Sequence, residues 1–242
     1  MSSPALADAL RWMREGTTIF VGAVDRLSDD ELRAPSALPG WTRAHVVGHI
    51  ARNAEALGRL ATWARTGVET PMYTSREQRD ADIEASALLP VSRLRVELVD
   101  TALALATAFD TMSQADWQAA VRSAQGREIP ASQVPWLRVR EVWLHAVDLD
   151  SGTRVRDLPE GMLDALLDDV CGAMSGRPEC PAAVLEPTDR DDRSWRLGPS
   201  DDATAVTVRG GAAELAGWLV GRCGGASLRA SEGAVPEMPR WL

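Results

Sequence analysis

Apolar residues return at helical spacing through the first half of the chain. From Ala5 to about Leu27, the positions Leu6, Leu10, Met13, Ile19 or Phe20, Ala23 and Leu27 keep this period with no proline among them, which predicts a first helix. The stretch APSALPG (34–40) is rich in turn formers, and Thr42 then stands where a cap is wanted for a second helix running through HVVGHIARNAEALGRLATWART to a stop at Gly67. These two long helices are expected to lie antiparallel. TPMYTSREQRDADIEAS (70–86) has a proline followed by many charges and reads as a loop leading into a charged helical turn. A third helix is expected from about Val91 to Met112. SAQGREIPASQVP (123–135) reads as a loop, and Ser132 or Gln133 begins a fourth helix, WLRVREVWLHAVDLD, that stops before Gly152. Four long helices joined by loops predict a bundle, an architecture whose facing helices can hold a metal site.

The texture changes after Gly152. A helix, PEGMLDALLDDVCGAM, is followed by the short β-prone runs AAVLEP, RSWRLG and TAVTVRG, separated by turns rich in Asp, Gly and Pro. A further helix, AAELAGWLVGR, leads to ASLRAS and the tail PEMPRWL. The expected fold class is therefore α+β: a helical domain over 1–155 and a smaller α+β domain over 156–242.

Composition narrows the chemistry. Of 242 residues, 45% are hydrophobic and 25% charged, which suits a globular chain, and no run approaches the roughly 18 apolar residues of a membrane span. Asp8 interrupts the apolar start and no basic region precedes it, so the N-terminus does not read as a signal peptide, and a cytoplasmic enzyme or binding protein is expected. The net charge is −9 with basic residues scattered singly, which argues against nucleic acid and obliges any anionic ligand to find a local arginine cluster. There is no lysine, which excludes Schiff-base catalysis. Cys171, Cys180 and Cys223 are odd in number and unlike CxxC, so buried free thiols are expected in place of a disulfide or zinc knuckle.

Three histidines remain, and they are the informative residues. Glu141 and His145 stand four apart in the fourth predicted helix, about one 5.4 Å turn along one face, close enough to share a metal ion. Arg138 and Asp148 share that polar ridge, which is either solvated or a site. In the second helix His49 sits among Val46, Val47 and Ile50, where a histidine is either a satisfied core residue or a ligand, and His45, one turn earlier, is an alternative ligand. Two imidazoles and a carboxylate match catalytic more than structural zinc, because three protein ligands leave a coordination position open.

Residues from nearly the whole chain carry a resemblance. GWTRAHVVGHIARNA, TPMY, AQGREIPAS, WLRVREVWLHAVDL and EGAVPEMPRWL resemble the mycothiol-dependent maleylpyruvate isomerase family, of the DinB-like superfamily. The ExxxH helix is shared across that superfamily, while TPMY, AQGR and PRWL carry the narrower assignment. The resemblance implies a DinB-like bundle with a divalent metal, usually zinc, on His49, Glu141 and His145. It also implies mycothiol as cofactor and a functional Arg222, in GWLVGRCGG, that binds a substrate carboxylate or developing enolate. That role requires the second domain to lie over the opening of the bundle. The activity implied is cis–trans isomerisation of maleylpyruvate to fumarylpyruvate, a step of gentisate-type aromatic degradation. The expected partners are a small anionic substrate and a low-molecular-weight thiol, with no nucleic acid and no membrane, in a monomeric chain. Two other readings stand beside it: a DinB-like mycothiol S-transferase acting in detoxification, and a non-catalytic small-molecule carrier. Taken alone, Arg222 also reads as a cation at a helix C-terminus, and Cys223 beside it reads as an inert thiol.

Overall fold

The computed structural model describes residues 3–199 and 205–241, and its contacts divide the chain into two compact units, Ala5–Thr153 and a second one beginning at Arg154. Thr204, which opens the predicted TAVTVRG strand, and Leu242, which ends the tail, lie outside the described residues.

In the first unit the elements are α1 (Leu6–Arg26), α2 (Asp29–Arg33), α3 (Arg43–Thr66), α4 (Arg76–Ala87), α5 (Val91–Asp110), α6 (Gln114–Gln118), β1 (Ala120–Arg122), β2 (Glu128–Pro130) and α7 (Val134–Asp148). The four long helices fall close to where the apolar period puts them. Thr42 caps α3, its hydroxyl accepting from the His45 N–H, and Gly67 ends that helix with φ +70°, a left-handed conformation glycine adopts without a Cβ penalty. The buried face of α1 is Ala9, Trp12, Met13, Gly16, Phe20, Ala23 and Val24, while the expected Leu6, Leu10, Ile19 and Leu27 stay half-buried.

The expected pairing of the first two long helices does not occur. α1 runs along α7 and touches α5, whereas α3 packs on α5, α4 and α7, so α1 and α3 sit across the bundle from each other. Small residues set the close approaches. A Cβ on Gly16 would stand 2.5 Å from Trp143 Nε1 of α7, and one on Gly48 would stand 2.7 Å from Ser86 Cβ of α4. The Trp143 indole donates to the Trp12 carbonyl at 2.9 Å, which ties α7 to α1. Phe20, Val24, Val46, Ile50, Leu94, Leu98, Ala146 and Leu149 fill one shared core, where each large apolar side chain contributes about 1.5–3 kcal/mol of burial.

One expected helical turn is longer than the sequence suggests, and one expected loop holds a strand. The charged segment after TPMY is a twelve-residue helix, α4, capped by Ser75 and anchored by Ile83, Ser86 and Ala87. Part of the predicted 123–135 loop closes a small hairpin, in which Val121 faces Ile129 across antiparallel β1 and β2, both buried.

The second unit holds α8 (Glu160–Met174), β3 (Ala183–Pro187), β4 (Trp195–Leu197), β5 (Val206–Gly210), α9 (Ala212–Leu219) and β6 (Arg229–Ala230). Its four-stranded sheet has the order β4-β3-β5-β6, with β3 and β5 parallel and the other two pairings antiparallel. Ala183, Leu185, Trp195, Leu197 and Val208 make the buried face, against which α8 and α9 pack. The overall class is α+β. Among the described residues, no helix is long and apolar enough to cross a membrane.

Candidate functional site

His49 on α3 and Glu141 and His145 on α7 converge in the first unit. Glu141 Oε2 lies 2.8 Å from His49 Nε2 and 3.2 Å from His145 Nε2, and one ligand atom from each of the three residues falls within 4.8 Å of the others. The side chains are 4% (His49), 25% (Glu141) and 13% (His145) exposed, so the cluster sits beneath the surface with its carboxylate side open to solvent. The polar ridge of α7 is therefore not a solvated face: Arg138 and Asp148, its other members, are buried as well.

The electrostatics favour ligand protonation states at His49 and Glu141. Burial is the dominant influence on His49 and pushes its pKa below the ordinary imidazole value in spite of Glu141, so the ring is neutral near pH 7. Burial would raise the Glu141 carboxyl, but the charges and hydrogen bonds of the two histidines outweigh it and hold the group well below the usual carboxylate range. His145 also feels burial first, and the hydrogen bonds it donates to Asp148 and Glu141 overcome it and raise its pKa. Asp148 Oδ2 accepts from His145 Nδ1 at 2.8 Å, which turns Nε2 towards Glu141. A carboxylate behind a ligating imidazole is a common way of fixing its tautomer and raising its basicity. Two imidazole nitrogens, one carboxylate oxygen and a buried supporting carboxylate fit a divalent cation of the zinc type.

His45 is committed elsewhere. Its Nδ1 accepts from the Thr42 N–H at 3.1 Å and meets the Thr42 hydroxyl at 2.7 Å, closing the cap of α3, while its Nε2 contacts Glu84 at 3.2 Å. The alternative the sequence left open thus resolves to His49 as the histidine that faces Glu141.

Trp41, Tyr73 and Arg79, three neighbours of the cluster, are not singled out by the sequence. The half-buried Trp41 packs its ring 5.6 Å from His49 and 6.2 Å from His45. Arg79, on the helix that the sequence had as a loop and turn, brings Nη2 to 3.4 Å from His49 Nδ1, and its guanidinium lies 5.8 Å from the centre of the Tyr73 ring. Arg138 Nη1 donates to the Ile50 carbonyl at 2.7 Å and to Asn53 Oδ1 at 2.8 Å, clamping α7 to α3, and burial brings its pKa down to about 10 while Glu141 and Tyr73 oppose the fall. Of these residues only Arg138 is legible in the sequence alone, as a member of the polar ridge of α7, while TPMY serves only the family resemblance.

Arg222 belongs to the second unit. Its N–H bonds the Gly217 carbonyl at 2.8 Å and the Gly221 N–H bonds that of Trp218 at 3.2 Å, the paired bonds of a Schellman stop, with Gly221 at φ +71°. The guanidinium reaches back to the Val220 carbonyl at 2.8 Å. The cysteines differ from the expectation of buried thiols: all are free, but only Cys171 is buried, Cys180 is half-buried and Cys223 is exposed. A small side chain near a turn at the surface, as Cys223 is, has no core to enter. Burial of the sulfur and the nearby Glu214 raise the pKa of Cys223, which argues against a nucleophile there.

Comparison with known proteins covers both units. Residues 13–150 match the model described as the mycothiol maleylpyruvate isomerase N-terminal domain, and residues 157–240 match the corresponding C-terminal domain model. A crystal structure of a mycothiol-dependent maleylpyruvate isomerase is 34% identical with a TM-score of 0.92, covering 100% of both chains. A histidine-to-alanine mutant of such an enzyme is likewise 34% identical, with a TM-score of 0.91 and the same coverage. YfiT from Bacillus subtilis, described as a probable metal-dependent hydrolase with an unusual four-helix bundle topology, shares the fold at 18% identity and a TM-score of 0.51, over 62% of this chain and 86% of its own. No curated protein matches the chain.

Proposed function

The chain belongs to the mycothiol-dependent maleylpyruvate isomerase family, and from that premise we propose that it is a cis–trans isomerase converting maleylpyruvate to fumarylpyruvate with mycothiol as a regenerated thiol cofactor. The observation that carries the reading is the meeting of two imidazole Nε2 atoms on one carboxylate oxygen, on a chain that aligns over its full length with an enzyme of that activity.

A divalent cation, zinc in this proposal, held by His49, Glu141 and His145 would lower the pKa of a thiol brought to it, so that mycothiol is available as thiolate near neutral pH. Maleylpyruvate must lose the double-bond character of its C=C before it can turn. Reversible addition of the thiolate, rotation about the new single bond and expulsion of the thiol meet that need with no net consumption. The protein's own residues prepare the place. Burial keeps His49 neutral, Asp148 fixes the His145 ring, and Glu141 stays ionised. Arg222 is assigned to a substrate carboxylate or to the charge that develops when the thiolate adds, a task suited to its planar fork of donors. The proposal includes a gentisate-type degradation route and a cytoplasmic setting, where thiols are kept reduced.

The test follows the ultraviolet absorbance of maleylpyruvate with and without mycothiol, before and after chelation. Turnover that needs both the thiol and the metal, with the thiol recovered at the end, is expected. Activity independent of both would overturn the reading, and stoichiometric loss of thiol would move the chain to the S-transferases.

A further inference from the structure

The contact between Arg79 and His49 has a chemical condition attached. A guanidinium has only donors, so Nη2 at 3.4 Å from Nδ1 is attractive only while Nδ1 keeps its lone pair. With the Nε2 lone pair given to a cation, a neutral imidazole carries its proton on Nδ1. Two donors would then face each other across that gap, and Arg79 Nη2 would need another acceptor.

The rest of the guanidinium offers little competition. Nη1 pairs with Asp80 at 2.7 Å, but that carboxylate is 55% exposed and shared with water. The Tyr73 ring supports the guanidinium from one side, and the segment bearing Tyr73 is itself fixed, because Arg59 donates through both Nε and Nη2 to the Met72 carbonyl at 3.0 and 2.7 Å. Arg59 is thus engaged with a backbone carbonyl and Arg138 with the Ile50 carbonyl and Asn53, Arg138 adding positive potential near Glu141, while Arg79 is the arginine of this group with a donor to release. A protein with a net charge of −9 needs such a local cluster to hold an anion.

We propose that Arg79, braced on Tyr73, is a carboxylate-binding residue of the helical unit, taking one carboxylate of a small dicarboxylate beside the metal-ligand cluster. The inference rests on the proposed anionic substrate, for which it supplies a cationic position within the helical unit itself.

The experiment uses the zinc-loaded full chain and malonate, an unreactive dicarboxylate, titrated by calorimetry, with bound zinc counted in each sample. Arg79→Gln is expected to weaken malonate binding by about ten-fold or more at unchanged zinc content, as the loss of a charge-assisted hydrogen bond would. Arg79→Lys, which keeps the charge without the fork, is expected to recover part of the affinity and serves if the glutamine variant folds poorly. Equal affinity in wild type and Arg79→Gln would overturn the proposal, as would no binding to wild type at millimolar malonate. Loss of zinc from both variants would also overturn it, since Arg79 would then be a positioning residue for His49. Arg79-dependent malonate binding in a protein that does not isomerise maleylpyruvate would leave this inference standing and remove the proposed function.

Discussion

His145 Nδ1 donates to Asp148 Oδ2 over 2.8 Å, and the aspartate that receives it is buried at the end of the same helix. The pair turns Nε2 towards Glu141 and makes it a better donor to a cation. Asp148→Asn should lower zinc affinity by about 10–100-fold, the usual cost of losing a supporting carboxylate. Competition with a chromophoric chelator measures this directly, and an unchanged affinity would show that the pair serves only the helix end.

The two candidate ligand histidines of α3 should separate cleanly. His49→Ala is expected to lose metal and turnover together. His45→Ala is expected to keep stoichiometric metal and to lose about 1 kcal/mol of stability with the cap at Thr42. Metal analysis and chemical denaturation of both variants read the two effects, and metal loss from the His45 variant would return that residue to the ligand set.

Arg222→Ala should retain metal and fold while losing turnover. Its contact with the Val220 carbonyl is a part-buried bond to the end of its own helix, and a helix-end cation contributes about 0.3–1 kcal/mol. A variant with full turnover would reduce Arg222 to that local role.

Gly16 admits Trp143 to the face of α1, and a methyl group there would stand 2.5 Å from the indole nitrogen. Gly16→Ala should cost about 1–3 kcal/mol through overpacking, even though alanine is the better helix former. Equilibrium unfolding gives the answer, and a stabilised variant would mean that α1 and α7 can separate without loss.

The thiols should sort by environment. Burial pushes Cys171 up to about 12, so its thiolate is scarce at pH 8 and alkylation in the native state should be slow. The exposed Cys223 should label faster, and Cys223→Ser should keep full turnover. Mass spectrometry after timed iodoacetamide treatment distinguishes the sites, and rapid labelling of Cys171 would show that α8 opens readily.

What could be read without coordinates was whatever is local along the chain. The four long helices show their apolar period, Thr42 and Gly67 mark the ends of α3, and ExxxH places Glu141 and His145 on one helical face. The β-prone runs after Gly152 likewise foretold β3, β4 and β5. The length of α4 stayed hidden because it buries only Ile83, Ser86 and Ala87 and shows no apolar stripe, and the hairpin stayed hidden because each strand has a single inward residue.

Tertiary packing decided the rest, because it joins residues that no spacing rule connects. His49 and Glu141 are 92 positions apart, and only the contact of α3 with α7 brings Nε2 to the carboxylate. The same packing set α1 across the bundle from α3, turned His45 back onto its own helix cap and delivered Arg79 from a helix too polar to announce itself. The sequence by itself determined which side chains were available and where each helix began and stopped. The fold determined which of them met, since a side chain's partner depends on the neighbouring backbone's position and not on its own periodicity.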